Sequence, residues 1–272
     1  MLPPRGARPL VVTIHDAVPW THPETLTPRG VRWHRAMAER AARTADAVVV
    51  PSAATARALA GVLDLRHEPE VVPLGVTALP IPADADARLE RLALTAGGYV
   101  LSLATLEPRK GLDVLIRAMA APAAPDLPLV LVGAAGWGGV DPRAVAADAG
   151  LAEERLRVLG HLDDDDLAAV LGAATALTVP SRAEGFGLPV LEGMAAGVPV
   201  VTSRDAALVE VGGPATLPSD TGDPDALAGA LRQACTDGDL RASMIAQGRD
   251  RAAGYTWRAT AERQAAIYRR LL

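Results

Sequence analysis

Two glutamates, Glu184 and Glu192, bracket a run in which Gly185 and Gly187 flank Phe186 and a Leu188-Pro189 pair follows. The run reads as a loop opening into a helix, because proline suits a first helical turn, where its missing N–H would be unpaired anyway. Glycines there let backbone N–H groups approach an anion, and the helix dipole favours negative charge at that end. Glu184 then sits in the loop and Glu192 about one turn into the helix. Two carboxylates so placed can grip neutral hydroxyls while the amides hold a phosphate. The same pattern also fits a plain strand-to-helix connection with a dipole-favoured glutamate. A second run, Ser102 to Gly111, places Arg109 beside Lys110 between an aliphatic strand and a helix. Arginine offers a fork to two oxygens and lysine a point charge, so the pair can neutralise a diphosphate. A solvated basic pair without a partner is the alternative.

Three further features invite chemistry. His15 ends an aliphatic strand, where a lone histidine is commonly structural. Asp163 to Asp166 resemble a metal-binding acidic run, but they precede an apolar helical stretch, and first-turn carboxylates are favoured by the dipole. They read as helix-start residues and not as ligands, so no metal site is assigned. Gly133, Gly136 and Gly138 stand in the wrong order for the dinucleotide fingerprint, which weakens a dehydrogenase reading.

The elements that must hold these residues alternate along the chain. Strands are expected over Leu10–Ile14, Ala47–Val50, Glu70–Val72, Tyr99–Leu103, Leu129–Val132, Leu156–Leu159, Ala176–Val179 and Val198–Val201. Most are continuously apolar, as for parallel strands covered on both faces. Helices are expected over Arg29–Ala45, Ala53–Val62, Gly111–Met119, Pro142–Ala149, Asp164–Gly172, Leu188–Ala196, Asp223–Cys235, Arg241–Ala252 and Trp257–Leu271. This is an α/β chain of parallel sheets with crossover helices. The proline-bearing stretch Gly75–Asp86 reads as a linker. The block before it holds only three strands, short of the usual doubly wound sheet of about six. The first block therefore reads as the latter part of a domain and the second as a whole one.

Composition narrows the function classes. The chain has 272 residues, half of them hydrophobic (50%), so a large core can form. Aromatics are 3% and the formal charge is -5, which argues against nucleic acid as a partner. The lone cysteine, Cys235, excludes an intramolecular disulfide. The start, Met-Leu-Pro-Pro-Arg-Gly, does not read as a signal peptide, and the longest uncharged stretch, Leu167 to Ser181, is too short for a membrane span of about 20 residues.

Taken together, the runs resemble one family. The stretch EGFGLPVLEGMAAGVPVV resembles the donor-site signature of the family 4 glycosyltransferases, and LEPRKGLDVLIRA, LVLVGAAGWGG and RVLGHLDDDDLAAVLGAATALTVPS follow its order and spacing. VVTIHDAVPW, AARTADAVVVPSAATARAL and VVPLGV resemble the latter half of that family's first domain. The resemblance implies the GT-B fold, two Rossmann-like domains. Residues 1–85 would be a partial acceptor-side domain with linker, 86–256 a complete donor domain, and 257–272 a helix returning to the first. It implies transfer of a sugar from a nucleotide-diphosphate donor with retention of configuration, no metal and no cofactor besides that donor. TLEPRKG with TIHD resembles most the members that use GDP-mannose.

By the same resemblance, Arg109 and Lys110 would hold the diphosphate, Glu184 the sugar hydroxyls and Glu192 the ribose. Gly185, Phe186, Gly187 and Leu188 would present backbone to the donor, Gly133 would permit close approach, His161 and Leu162 would border the base, and His15 would face the sugar. The acceptor would be a glycan, lipid or small molecule, and the location cytoplasmic, with the inner membrane face compatible. Two departures stand out. Ala206-Ala207-Leu208-Val209-Glu210 replaces the family's glycine pair before Leu-Pro-Glu, and nothing before Leu10 matches its opening strand and glycine-rich loop. The latter raises an alternative: a nucleotide-sugar-binding remnant or subunit that needs a second chain and self-associates through its incomplete sheet. An epimerase or hydrolase on the same fold fits the twin-glutamate run less well.

Overall fold

The aliphatic runs become the strands of two separate parallel sheets in the computed structural model, which describes residues 8–272. Met1 to Gly6, read above for a leader, lie outside the described residues. The first unit runs β1 (Val11–Thr13), α1 (Val18–Thr21), α2 (Pro28–Thr44), β2 (Ala47–Val50), α3 (Ala53–Ala60) and β3 (Glu70–Val71). Its sheet has the order β1-β2-β3. The central β2 is buried throughout, whereas β1 pairs with β2 alone among the described residues. Helices α2 and α3 start where a side chain takes an otherwise unpaired N–H: Thr27 accepts from Gly30 at 3.1 Å, and Ser52 from Thr55 at 3.0 Å.

The second unit comprises α4 (Ala85–Arg91), β4 (Val100–Leu103), α5 (Leu112–Ala120), β5 (Leu129–Val132), α6 (Pro142–Ala149), β6 (Leu156–Gly160), α7 (Asp164–Gly172), β7 (Ala176–Val179), α8 (Leu188–Ala196), β8 (Val200–Ser203), α9 (Ala206–Gly212), β9 (Thr216–Ser219), α10 (Pro224–Thr236) and α11 (Gly238–Ala253). The strand order is β6-β5-β4-β7-β8-β9, so the direction of winding reverses between β4 and β7. One sheet face buries Leu101, Val130, Leu177 and Val200 under α7 and α8; the other buries Val100, Leu129, Leu131 and Val201 under α5 and α10. At about 1.5–3 kcal/mol per fully buried aliphatic side chain, this two-sided core is the main term holding the unit together.

Several expectations shift. The strand expected at Val198–Val201 lies at Val200–Ser203, because Pro199 has no N–H for a ladder and only its carbonyl pairs, with Leu177 N–H at 2.9 Å. β9 was not anticipated; Pro218 is tolerated because, among the described residues, β9 pairs with β8 alone. The linker expected at Gly75–Asp86 already turns helical at Ala85, since Arg88 reaches back to Asp84 at 2.8 Å and across to Asp166 on α7 at 2.7 Å. Asp163 caps α7 by accepting from Asp166 N–H at 2.8 Å. The acidic run thus caps a helix and pairs with Arg88 and Arg91. α1 and α9 are further short helices absent from the sequence reading. No helix among the described residues is long and apolar enough to cross a membrane.

The chain crosses between the units twice. Residues 72–84 lead out of the first sheet, and α12 (Trp257–Leu271) returns to it, laying Ile267 and Leu271 against Val49, Val72 and Val11. The crossings are tied together. Val76 N–H donates to the Tyr255 carbonyl at 3.0 Å, Trp257 Nε1–H to Thr77 Oγ1 at 3.0 Å, and Thr260 Oγ1–H to the Pro73 carbonyl at 2.8 Å. Gly75 lies so close to the second crossing that an added Cβ would sit 2.2 Å from the Trp257 nitrogen. Gly75→Ala is therefore expected to cost about 1–3 kcal/mol and to loosen the start of α12. Thermal unfolding together with limited trypsin cleavage at Arg258 checks this; an unchanged midpoint and cleavage rate would refute the clamp.

Candidate functional site

The reversal between β4 and β7 opens a crevice at the carboxyl edge of the sheet, the usual ligand position in open α/β sheets. The loops that follow those two strands carry Arg109 and Lys110 on one side and Glu184 on the other. They are stitched together. Arg182 N–H donates to the Arg109 carbonyl at 2.8 Å, and the Arg182 guanidinium holds Asp113 at 2.7 and 2.8 Å and the Pro108 carbonyl at 2.8 Å. Thus registered, Glu184 takes Lys110 Nζ at 2.6 Å and Ser181 Oγ at 2.8 Å on Oε1, and Arg109 Nη1 at 2.9 Å on Oε2. Arg109 is held from its other side by Glu107, whose Oε1 accepts from Nη2 at 2.8 Å and Nε at 3.2 Å.

These groups are largely out of water: the Glu107 side chain is 2% exposed, Glu184 8% and Arg109 16%. Burial works to raise the Glu184 pKa, but the Lys110 and Arg109 charges and two hydrogen bonds outweigh it and hold the carboxyl below its ordinary range. Burial likewise works against the Arg109 charge, and Glu184, Glu107 and Asp16 outweigh it. Two carboxylates therefore face two cations. The sequence reading gave Arg109 and Lys110 to the diphosphate and Glu184 to the sugar; the structure pairs them with one another. An anion that took all the donors now on Glu184 would have to displace it.

The remaining expected residues divide. His15 is exposed and lines a cavity of ≈ 490 Å³ with Arg109, Asp16 and three of the four tryptophans, Trp20, Trp33 and Trp137. Its carbonyl packs against Gly185, where a Cβ would sit 1.8 Å from the oxygen, so only glycine fits. The Gly185 carbonyl accepts from Ser52 Oγ at 2.7 Å and Thr55 Oγ1 at 3.0 Å. The Phe186 ring is buried edge-on against Tyr255, and Gly187 caps α8 in a left-handed conformation.

Leu188 and Glu192 lie on one face of α8 and line a second cavity of ≈ 390 Å³ that also meets Thr77, Asp164 and Trp257. Burial pushes the Glu192 carboxyl upward. His161 and Leu162 occupy the β6–α7 turn, and Gly133 ends β5 against the Ala104 carbonyl; none of the three lines either cavity. Glu107, Ser181, Ser52 and Thr55 were missed. Glu107 stood inside the run already singled out, but only its burial beside Arg109 marks it as part of the site.

Comparisons with known proteins identify the family and the fold. A family model described as glycosyl transferases group 1 matches residues 90–251, and one described as glycosyltransferase family 4 matches residues 1–78. Among curated proteins, the MMP alpha-(1->4)-mannosyltransferase of Mycolicibacterium hassiacum is 30% identical, over 97% of this chain and 66% of that protein. The O-antigen chain mannosyltransferase B of Escherichia coli is 36% identical, over 65% of this chain and 47% of that protein. Among solved structures, Anabaena HepE in complex with UDP and glucose superposes with a TM-score of 0.80 at 25% identity, covering 97% of this chain and 72% of that one. The chain thus spans about half to two thirds of the length of the curated relatives it matches.

The paired cluster predicts an acid dependence. Glu184 is held below its ordinary value of 4.5, so its ionised form stabilises the fold above that pH, and the contribution drains away as pH falls through the lower folded value. Urea midpoints between about pH 3 and 6 should fall more steeply for the wild type than for Glu184→Gln. At neutral pH the variant should be about 2 kcal/mol less stable. Parallel slopes would refute the ionised pairing.

Proposed function

Because the chain belongs to the glycosyl transferases group 1 family and has the GT-B fold, we propose that it moves a sugar, with retention of configuration, from a nucleoside-diphosphate donor to an acceptor hydroxyl. The observation that carries this reading is the cluster of Arg109, Lys110, Glu107 and Glu184 at the reversal of the sheet. In the crevice, the donor diphosphate takes Arg109 and Lys110 in place of Glu184, joined by N–H groups at the start of α8. The released Glu184 carboxylate turns to the sugar hydroxyls, and Glu192 accepts from the ribose. His15 faces the sugar from the first unit.

The chemistry follows from that exchange. As the bond from the anomeric carbon to the diphosphate oxygen lengthens, positive charge grows on the sugar ring and negative charge on the leaving group. Arg109 and Lys110, already oriented and largely desolvated, stabilise the leaving diphosphate where a hydrated cation would first have to reorganise. The acceptor oxygen bonds to the anomeric carbon on the face the diphosphate leaves, and its proton passes to the departing phosphate oxygen. Charge on the leaving group is met by side chains, so no metal is required in this reading. A GDP-mannose donor is supported by the relatives whose names are mannosyltransferases, one of them GDP-mannose-dependent.

A second reading is favoured by the side of β1 that pairs with no strand among the described residues. Its neighbour cavity is walled by Val12, Ile14, Trp33 and Met37, an apolar surface suited to a further strand and helix, so the chain would bind donor and turn over only when that sheet is completed. Two measurements decide. Glu192→Ala should weaken GDP or UDP binding about tenfold by calorimetry, and unchanged affinity would remove Glu192 from the ribose. The wild type should release or transfer sugar in excess chelator; nucleotide binding without turnover, together with self-association in size-exclusion chromatography, would favour the second reading.

A further inference from the structure

The Glu184 loop is gripped by residues of the other unit. Helix α3 of the first unit begins at Ala53, and like any helix it presents N–H groups in its first turn that have no partner within the helix. Ser52 accepts one, from Thr55. The next two go elsewhere: Ala53 N–H donates to Glu210 Oε1 at 2.7 Å and Ala54 N–H to Glu210 Oε2 at 2.7 Å. Glu210 belongs to α9 of the second unit, in the stretch that departs from the family's glycine pair. Its carboxylate thus sits at the positive end of a helix in the opposite unit.

A second pair of contacts joins the same two elements. Ser52 and Thr55, 0% and 3% exposed, both donate their hydroxyls to the Gly185 carbonyl, whose other side is closed by the His15 carbonyl. Gly185 is bonded to Glu184, whose backbone N–H lies beside Asp205, the residue that caps α9 through Ala207 and Leu208. The contacts close a circuit from α3 to Gly185, Glu184, Asp205, α9 and Glu210, and back to α3.

We propose that Ser52, Thr55 and Glu210 are positioning residues that form a latch between the two units and couple their closure to the placement of Glu184. Parting the units breaks four hydrogen bonds together, two of them to a carboxylate, and frees the Gly185 peptide beside the catalytic carboxylate. None of the three needs to touch donor or acceptor. The kinetic consequence rests on the transfer reading above; the mechanical one does not.

Both are tested with Glu210→Ala, Glu210→Gln and the double variant Ser52→Ala/Thr55→Val in the full chain. Hydrogen exchange should accelerate about tenfold at the Ala53 and Ala54 amides and across residues 183–188, with Glu210→Gln, which keeps one acceptor oxygen, between wild type and Glu210→Ala. Donor turnover, read as sugar released from a nucleoside-diphosphate sugar, should fall about tenfold or more in kcat, as misplacement away from the reacting atoms produces. GDP or UDP affinity should stay within about threefold, because the Glu192, Arg109 and Lys110 side chains are untouched. Thermal melts identify any variant that fails to fold, and Glu210→Gln, the mildest change, then carries the test. Wild-type exchange at Ala53 and Ala54 in a folded variant overturns the latch. Faster exchange with unchanged kcat overturns the coupling. A wild type that turns over no sugar nucleotide overturns the transfer reading instead and leaves the latch to be decided by exchange alone.

Discussion

A carboxylate taken out of water must find positive partners, and in this protein that requirement organises everything around Glu184. Its partners, Arg109 and Lys110, lie more than seventy residues earlier in the chain. They can meet it only if the loops after β4 and β7 are neighbours, which requires those strands to be adjacent and the winding to reverse between them. Arg182 then fixes the register of the loops through Asp113 and two backbone carbonyls. Glu107 balances the second cation from below. Removing Glu184 leaves Lys110 without its carboxylate, and removing Arg109 leaves the buried Glu107 without its cation, so the charges are best treated as one network.

The cluster also keeps two neighbouring cations from repelling each other apart. Glu184 lies between them, so Arg109 and Lys110 are oriented and largely desolvated in the folded loops. The first unit contributes little charge to this balance. What it contributes is shape: a histidine carbonyl and two hydroxyls around a glycine peptide, and the N-terminus of a helix for Glu210.

Most of the architecture was legible because parallel strands covered on both faces are continuous aliphatic runs. Ala47–Val50, Leu129–Val132 and Ala176–Val179 begin and end where the apolar residues do. Helices α6, α7, α8 and α12 were legible to the residue from proline, aspartate and glycine punctuation. What escaped had weaker local signals. β9 contains a proline that only an edge strand tolerates, and α4 and α9 are short helices held by ion pairs and caps from distant residues. Glu107, Ser52 and Glu210 have roles given by partners far along the chain, or by burial, and no spacing rule encodes either. Arg109, Lys110 and Glu184 stood out because their runs resemble a family signature, but their mutual pairing is a property of the folded loops alone.

The double crossing between the units has a mechanical meaning. A single connecting segment acts as a swivel and permits both bending and twisting. Here the outgoing segment and the start of α12 run side by side and are bonded at Val76 and Thr77, with Gly75 pressed on Trp257. Two tethers fastened together act as a door hinge: they leave one axis of rotation soft and stiffen the others. Any rotation of one unit against the other must carry both tethers together, and the contacts of the α3 N-terminus with Glu210 and of the two hydroxyls with Gly185 span that same boundary.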